Sequence, residues 1–170
     1  MSDTATLRPR TTTRWRLDPE RSRVEFRVPN LWGLATVSGR FDRYEGTLSL
    51  AERPAIELSV DVGSLNTANA RRDKHLRSAA FFDAERHPRI EFVSQHARLD
   101  GERLRVRGLL SAAGESVSLE LDATAERDGD ELVVDATVQL DQRRLGMDWS
   151  PLGVIRAPAE LTVHGRLVHD

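Results

Sequence analysis

The chain lacks the residues and segments on which several classes of function depend. It has no cysteine among its 170 residues, so disulfides, thiol catalysis and thiolate metal sites are excluded. No stretch approaches the roughly 18 apolar residues of a membrane-spanning helix. Residues 1–15 contain no apolar core of the length that a signal peptide needs. We therefore expect a cytoplasmic protein that makes no stable insertion into a membrane.

A strong charge imbalance and the common catalytic motifs are absent as well. The formal net charge is -2, so nothing predicts a nucleic-acid partner. The five histidines form no HExxH motif. A two-histidine metal site assembled across strands stays open as an alternative, but no spacing indicates one. Since a Gly-x-Ser-x-Gly motif is also missing, we predict no catalytic residue and no metal.

Alternation of apolar and polar residues with a period of two dominates the sequence that is there. It is clear in RVEFRV (Arg23–Val28) and recurs over residues 56–62, 104–107, 117–123, 132–140 and 161–167. The pattern predicts about ten antiparallel strands, each with one apolar and one polar face. They can hide the apolar face in a two-sheet sandwich or in a closed barrel. We expect a flexible arm over residues 1–13 and a single domain over 14–170.

Small side chains line the interior that is predicted for the later strands. Eight of the nine aromatic residues precede residue 93. The inward positions of the later strands are instead Ala123, Ala125, Val134, Ala136, Val138 and Gly165. Such an interior is either tightly collapsed or leaves an apolar void that can hold a ligand. Alternation alone fits a filled sandwich equally well.

The strand pattern stops between Asn66 and Phe92, where we predict one short helix near residues 69–78. Asn69 is the expected N-cap, and Asp73 and Arg77 are one turn apart and can pair on the exposed side. The net charge of this helix is positive. It is therefore either a solvated surface or an anion-facing mouth, with Arg72, His75 and Arg77 as the candidate contacts for a phosphate head group.

Two further segments combine aromatic residues with irregular structure. Phe81 and Phe82 are adjacent, and neighbouring side chains in an extended chain point opposite ways. One ring can therefore belong to the core while the other lines a cavity. The segment GMDWSPLGVIRAP (Gly146–Pro158) holds Trp149 and two prolines. It is too long and too apolar for a simple hairpin turn, which makes it a candidate lid or rim loop.

Three segments carry a resemblance to a known family: LDPERSRVEFRV (Leu17–Val28), VSGRFDRYEGTLSL (Val37–Leu50) and SVDVGSLNTANARRDKHLRSAAFFDAERHPRIEF (Ser59–Phe92). They resemble the YceI-like family. The most specific part is the spacing of Arg72-Asp73, His75-Leu76-Arg77-Ser78, Phe81-Phe82-Asp83, Pro88, Ile90 and Phe92. Gly39, Phe41, Tyr44 and Gly46, and later Arg143, Leu145 and Gly146, are also similar. The chain departs from the family where relatives often carry histidines, at Glu20–Ser22 and Pro29–Leu31.

The resemblance implies an all-β fold, an extended antiparallel lipocalin-like barrel with the short helix inserted. It implies an apolar tunnel that holds a polyisoprenoid or another long amphiphile, such as a polyprenyl phosphate, a quinone or a fatty-acid-type lipid, and no separate cofactor. The residues that we expect to line the tunnel are Phe26, Val28, Phe41, Leu58, Val60, Phe81, Phe82, Ile90, Phe92, Leu119, Leu121, Val138, Leu140 and Trp149.

Three functional hypotheses follow, of which a lipid-binding carrier is the first. The alternative is a filled barrel that acts as a structural or interaction module. Its mark would be a homodimer formed through an edge strand or through an exposed apolar rim such as Trp32 or Trp149. The third is an enzyme acting on a small apolar substrate. It would need an inward pair of titratable groups, whereas alternation places most Asp and Glu outward.

Overall fold

Strands dominate the described part of the chain, as the alternation predicts. The structure is a computed structural model, and it describes residues 14–28, 36–51, 53–146 and 158–170. Its α-helix, α1, spans Ala70–Leu76, and short 3₁₀ turns span Val62–Ser64 and Gln142–Leu145. The strands are β1 (Arg14–Leu17), β2 (Arg23–Val28), β3 (Val37–Phe41), β4 (Tyr44–Ser49), β5 (Ala55–Asp61), β6 (Leu65–Asn66), β7 (Arg89–Asp100), β8 (Arg103–Ala112), β9 (Glu115–Asp128), β10 (Glu131–Leu140) and β11 (Ala159–His169).

The strands form one antiparallel sheet that closes on itself. The hydrogen-bonded order β1-β4-β5-β7-β8-β9-β10-β11 returns to β1, which pairs with β11. Strand β2 continues the line of β1 along β11, while β3 and β6 continue the lines of β4 and β5. The result is an eight-stranded antiparallel barrel in which successive lines of the chain are neighbours. The predicted all-β barrel with one short helix is confirmed, and the sandwich alternative is wrong.

Three of the eight lines are interrupted at the same level of the barrel. The interruptions fall at residues 18–22, 42–43 and 62–64. The Tyr44 hydroxyl donates to the carbonyl oxygen of Ser22 at 2.6 Å, and the Arg43 amide donates to Ser64 Oγ at 2.9 Å. These bonds tie the three irregular stretches together, so the wall can bend there without leaving buried polar groups unpaired.

The two ends of the barrel are closed by different parts of the chain. At the helix end, α1 and the segment that follows it lie near the β8–β9 hairpin, where the His87 ring occupies the side-chain space of Gly114. Gly114 has a φ of 82°, a conformation that favours glycine. At the far end, Trp15 is 1% exposed and stacks on His169 with ring centroids 3.8 Å apart.

Helix α1 begins where the sequence predicts, but its acidic residue faces inward. Asn69 is the N-cap, and its side chain accepts a hydrogen bond from the Arg72 amide. Asp73 is buried and accepts from the amide and hydroxyl of Thr67 at 2.8 and 2.5 Å. The expectation that Asp73 pairs with Arg77 on the exposed side is therefore wrong. Arg77 instead donates to the carbonyl oxygen of Gly63 at 3.1 Å.

Candidate functional site

The half of the barrel interior beneath α1 is filled by aromatic rings, and we call it the aromatic half. Phe41 lies between Phe26, at a centroid distance of 5.4 Å, and Phe82, at 6.2 Å in an edge-to-face arrangement. All three rings are buried, and Leu76 of the helix, 1% exposed, packs into the same cluster. The Phe26 ring occupies the space where a side chain at Gly39 would lie. The described rings of this half thus pack against one another in the buried core.

The remaining interior holds an apolar cavity with a volume of about 150 Å³. The small inward residues that the sequence singles out lie in its wall, including Ala123, Val134, Ala136 and Gly165. Because alanine and glycine cannot reach the barrel axis, the opposing leucines and valines leave space between them. Of the two alternatives that the sequence pattern allows, a collapsed interior or an apolar void, the structure has the void. It lies against the later strands.

The cavity wall offers hydrocarbon and little else. Of the residues that border the cavity, Thr47 and Glu57 are the ones with polar side chains. Both alternate with inward residues, which turns their side chains to the outer face, and Glu57 is exposed. The described lining thus contains no inward pair of titratable groups. Contact with apolar surface, without directed hydrogen bonds, is what such a wall can provide.

Among the described residues, the groups whose pKa is shifted do not border the cavity. The hydrogen bond from Arg103 is the main cause that lowers the pKa of Asp122, and the hydrogen bond from Arg43 does the same for Asp61. His164 is paired with Asp135 on the outer surface. Within the described residues, no group of three or more His, Asp or Glu side chains is placed to hold a metal ion. Nor does any described helix combine the length and apolar character needed to cross a bilayer.

The fourteen residues expected to line a tunnel fall into three sets. Leu58, Phe92, Leu119, Leu121 and Val138 border the cavity. A second set is buried in the surrounding core without bordering it: Phe26, Val28, Phe41, Val60, Phe81, Phe82, Ile90 and Leu140. Trp149 lies outside the described residues, as do Trp32 and most of the candidate rim loop. Contact of any of these residues with a ligand stays a prediction.

Sequence reasoning missed a large part of the cavity wall. The missed residues with inward side chains are Leu17, Leu48, Ile56, Leu104, Val106, Leu110, Leu161, Val163 and Leu167. The signal that could have identified them is the alternation itself, since each is an inward position of its strand. The expectation instead favoured aromatic rings, and of those that the structure describes, Phe92 alone borders the cavity.

Two of the three candidate head-group contacts hold the helix to the loop beside it. Arg72 donates to the hydroxyl and carbonyl oxygens of Thr67 at 2.9 and 2.8 Å, and Arg77 bonds to Gly63. The third, His75, is exposed and meets the Phe81 ring edge-on at 4.9 Å. These bonds give the predicted charges a structural role. A contact between them and a head group stays a prediction.

The outward surface of α1 is nevertheless entirely basic. Arg71 and Lys74 are exposed, and neither makes an ion pair with a described residue. Asp73, the one acidic residue of α1, is buried. Neither Arg71 nor Lys74 is among the head-group contacts predicted from the sequence.

Comparisons with known proteins agree on one family. The family model described as a YceI-like domain matches residues 15–167. Protein YceI of Escherichia coli O157:H7 is 33% identical over 112 residues, and a UPF0312 protein of Pectobacterium atrosepticum is 32% identical over 112. Each alignment covers 64% of this chain and 58% of the relative, so the chain spans little more than half the length of those curated proteins.

Solved structures share the same barrel. BcnA of Burkholderia cenocepacia superposes with a TM-score of 0.79 at 16% identity, covering 88% of this chain and 98% of that chain. A polyisoprenoid-binding domain from Saccharophagus degradans, implicated in plant cell wall breakdown, superposes with a TM-score of 0.74 at 15% identity. That match covers 94% of this chain and 99% of that chain. At these identities the likeness establishes the fold.

Proposed function

This chain belongs to the YceI-like family, and from that premise we propose that it binds a polyisoprenoid or a similar long-chain amphiphile inside its barrel and acts as a carrier. The observation that carries the proposal is the apolar cavity, whose described wall presents almost only aliphatic side chains. The polyisoprenoid-binding domain of the same fold supports the choice of ligand class. A carrier that works in the cytoplasm and needs no cofactor belongs to the same proposal.

Such a wall can bind hydrocarbon without any polar recognition. Burying a methylene group contributes about 0.8 kcal/mol, so a few isoprene units provide ample free energy even after the cost of ordering the chain. Since one methylene more or less changes binding by only about 1–3 kcal/mol, we expect the protein to accept chains of several lengths. Discrimination among ligands would then depend on their polar ends.

The cavity volume limits how much of such a chain lies inside. An apolar cavity of roughly 150 Å³ in another protein binds benzene, so the present cavity has room for about one isoprene unit of similar carbon count. A longer ligand must therefore widen the cavity or extend beyond it. The cavity can widen only where neighbouring strands of the wall share no hydrogen bonds, because a continuous ladder holds the strands at a fixed distance.

The proposal is tested by lipid uptake with a variant that fills the cavity. Purified protein is extracted with organic solvent, incubated with geranylgeraniol and examined by native mass spectrometry. We expect a one-to-one complex for the wild-type chain and a weaker one for Ala136→Leu, whose added side chain occupies the cavity. Thr137→Leu, at the next and exposed position of β10, is the matched control and should bind as the wild type does.

The same experiment separates the other hypotheses. A folded wild-type chain that takes up no prenyl lipid would overturn the carrier proposal and favour the filled-barrel module, for which a homodimer would be the further mark. Chemical conversion of the added lipid would favour an enzyme, a hypothesis to which the described cavity wall lends no support. The proposal also includes that the protein is not an enzyme and that it binds neither nucleic acid nor a metal ion.

The head-group contact is tested separately with geranylgeranyl phosphate. If the basic surface of α1 meets a phosphate, Lys74→Glu should weaken binding of the phosphate and leave geranylgeraniol binding unchanged. Phe82→Asp should reduce retention of both lipids, because it disrupts the core that supports the cavity. Equal losses for both variants with both lipids would place the ligand at the helix instead of inside the barrel.

A further inference from the structure

Buried aromatic side chains lie at both ends of the barrel among the described residues. At the helix end, Phe26, Phe41 and Phe82 are each less than 10% exposed. Phe41 contacts Phe26 in a tilted arrangement and Phe82 edge to face. At the far end, Trp15 is 1% exposed, with His169 stacked on its ring and the Arg127 guanidinium 5.6 Å from the ring centroid. A hydrocarbon chain passing these residues would have to displace the three Phe rings at one end or the Trp15 ring at the other.

The barrel wall is interrupted between β9 and β10. Their ladder begins at the pair Glu131–Asp128 and ends at Ala136–Ala123. Beyond it, β9 from Glu115 to Asp122 is paired with β8, and β10 from Thr137 to Leu140 is paired with β11. Among the described residues, these two strands do not pair with each other there. We call this gap the seam.

The seam borders the cavity directly. Leu121 on one edge and Val138 on the other both line the cavity, and both remain partly exposed, unlike the buried rings at the two ends. Nearer the helix end, the 3₁₀ turn Gln142–Leu145 packs on β9, and Leu145 is 2% exposed. Leu121 and Val138 are thus less completely buried than Leu145 at the covered end of β9.

We propose that the hydrocarbon enters and leaves the barrel sideways, through the seam between β9 and β10, and not through either end. The inference rests on the proposed function and deepens it. Parting two strand edges that share no hydrogen bonds costs far less than breaking a continuous ladder or unpacking an aromatic cluster. A chain too long for the cavity would then lie partly in the seam, between its apolar edges.

The test is a covalent link across the seam. Because the chain has no cysteine, two introduced thiols are the only sites for a bifunctional maleimide with a cleavable spacer. Extending the ladder register places Glu120 opposite Gln139, and both are exposed and outside the cavity wall. In Glu120→Cys/Gln139→Cys, we expect the link to slow uptake and release of a fluorescent geranylgeraniol by about tenfold or more, since passage then needs local unfolding.

The matched control joins the same strands where their ladder is intact, with Thr124→Cys/Asp135→Cys. This link should leave both rates unchanged, and cleaving the spacer in the seam variant should restore them. Unchanged exchange after linking the seam would overturn the route while leaving the proposed function intact. Equal slowing by both links would also overturn it. A wild-type chain that binds no probe would overturn the proposed function and the route with it.

Discussion

The aromatic half of the barrel and the half with the cavity belong to the same sheet, yet their interiors are packed differently. In the aromatic half, Phe26 covers Gly39 and Phe82 reaches in from the segment after α1. In the other half, Ala123 and Ala136 lie where larger side chains would meet. The comparison teaches that the sheet determines the enclosure, and the side-chain volumes determine where it stays empty.

The two halves also differ in how their walls are held. The aromatic half is capped by α1, and buried hydrogen bonds from Thr67 to Asp73 fasten the helix to the barrel. The half with the cavity has instead a ladder that stops at Ala136. We therefore expect the aromatic half to provide most of the stability, and the other half to provide binding and exchange.

The largest expected effect is from emptying the filled half. Phe41→Ala should lower the free energy of unfolding by about 3–5 kcal/mol, because the removed ring leaves a void among buried neighbours. Val138→Ala, on a wall that already faces a void, should cost only about 1 kcal/mol. Urea denaturation of both variants measures the difference. Similar losses would show that the two halves contribute alike and would contradict the comparison.

The next effect comes from releasing the cap on the aromatic half. Asp73→Ala leaves the amide and hydroxyl of Thr67 without their buried acceptor, so we expect a loss of about 2–3 kcal/mol in unfolding free energy. Asp73→Asn retains one acceptor oxygen and should lose less. If the two variants were equally stable by denaturation, the hydrogen bonds to Thr67 could not be what fastens α1.

Much of this architecture could be predicted from the sequence because its signals are local. Alternation reports which side of a strand faces inward, and Asn69 before a helical stretch reports an N-cap. The inward turn of Asp73 could not be predicted in this way. Its partner Thr67 is brought beside the helix by the pairing of β6 with β3. The sequence of the helix does not indicate that pairing.

The site was predicted less completely for a related reason. The five tunnel-lining candidates that border the cavity and the nine inward wall residues that were missed obey the same alternation. The pattern therefore cannot say which inward positions face a void. That depends on which side chains meet across the barrel. The end of the ladder at Ala136–Ala123 is likewise invisible to alternation, because β9 and β10 keep their two-residue period well beyond it.

A larger side chain should destabilise the protein when it is placed in the aromatic half but not when it is placed in the half with the cavity. Gly39→Ala places a methyl group against the Phe26 ring, and we expect it to cost about 1–2 kcal/mol in unfolding free energy through overpacking. Ala136→Leu adds a larger group to the cavity and should leave stability unchanged or raise it, because the group fills empty space. A greater loss for Ala136→Leu, measured by denaturation, would mean that the cavity wall cannot accept added volume.

The smallest expected effect lies outside both halves, on the outer wall. Arg21 donates to Glu131 at 2.6 and 3.1 Å, and Arg166 donates to it at 2.7 Å. These hydrogen bonds, that of Arg21 first, hold the pKa of Glu131 below its ordinary value. A lowered pKa in the folded state means that the stabilisation is present above the unfolded pKa of about 4.3 and is lost as the pH falls through the folded pKa.

Glu131→Gln should therefore be slightly less stable than the wild type at pH 7, and the two should converge as the pH falls below about 4. Glu126→Gln on β9, an exposed position without an ion pair to a described residue, is the matched control and should be as stable as the wild type at pH 7. The difference should shrink in high salt, since exposed ion pairs are screened. Lipid uptake should be the same in all three proteins. An effect of Glu131→Gln on uptake would mean that the outer wall is coupled to the cavity, and the division between the two halves would then be too simple.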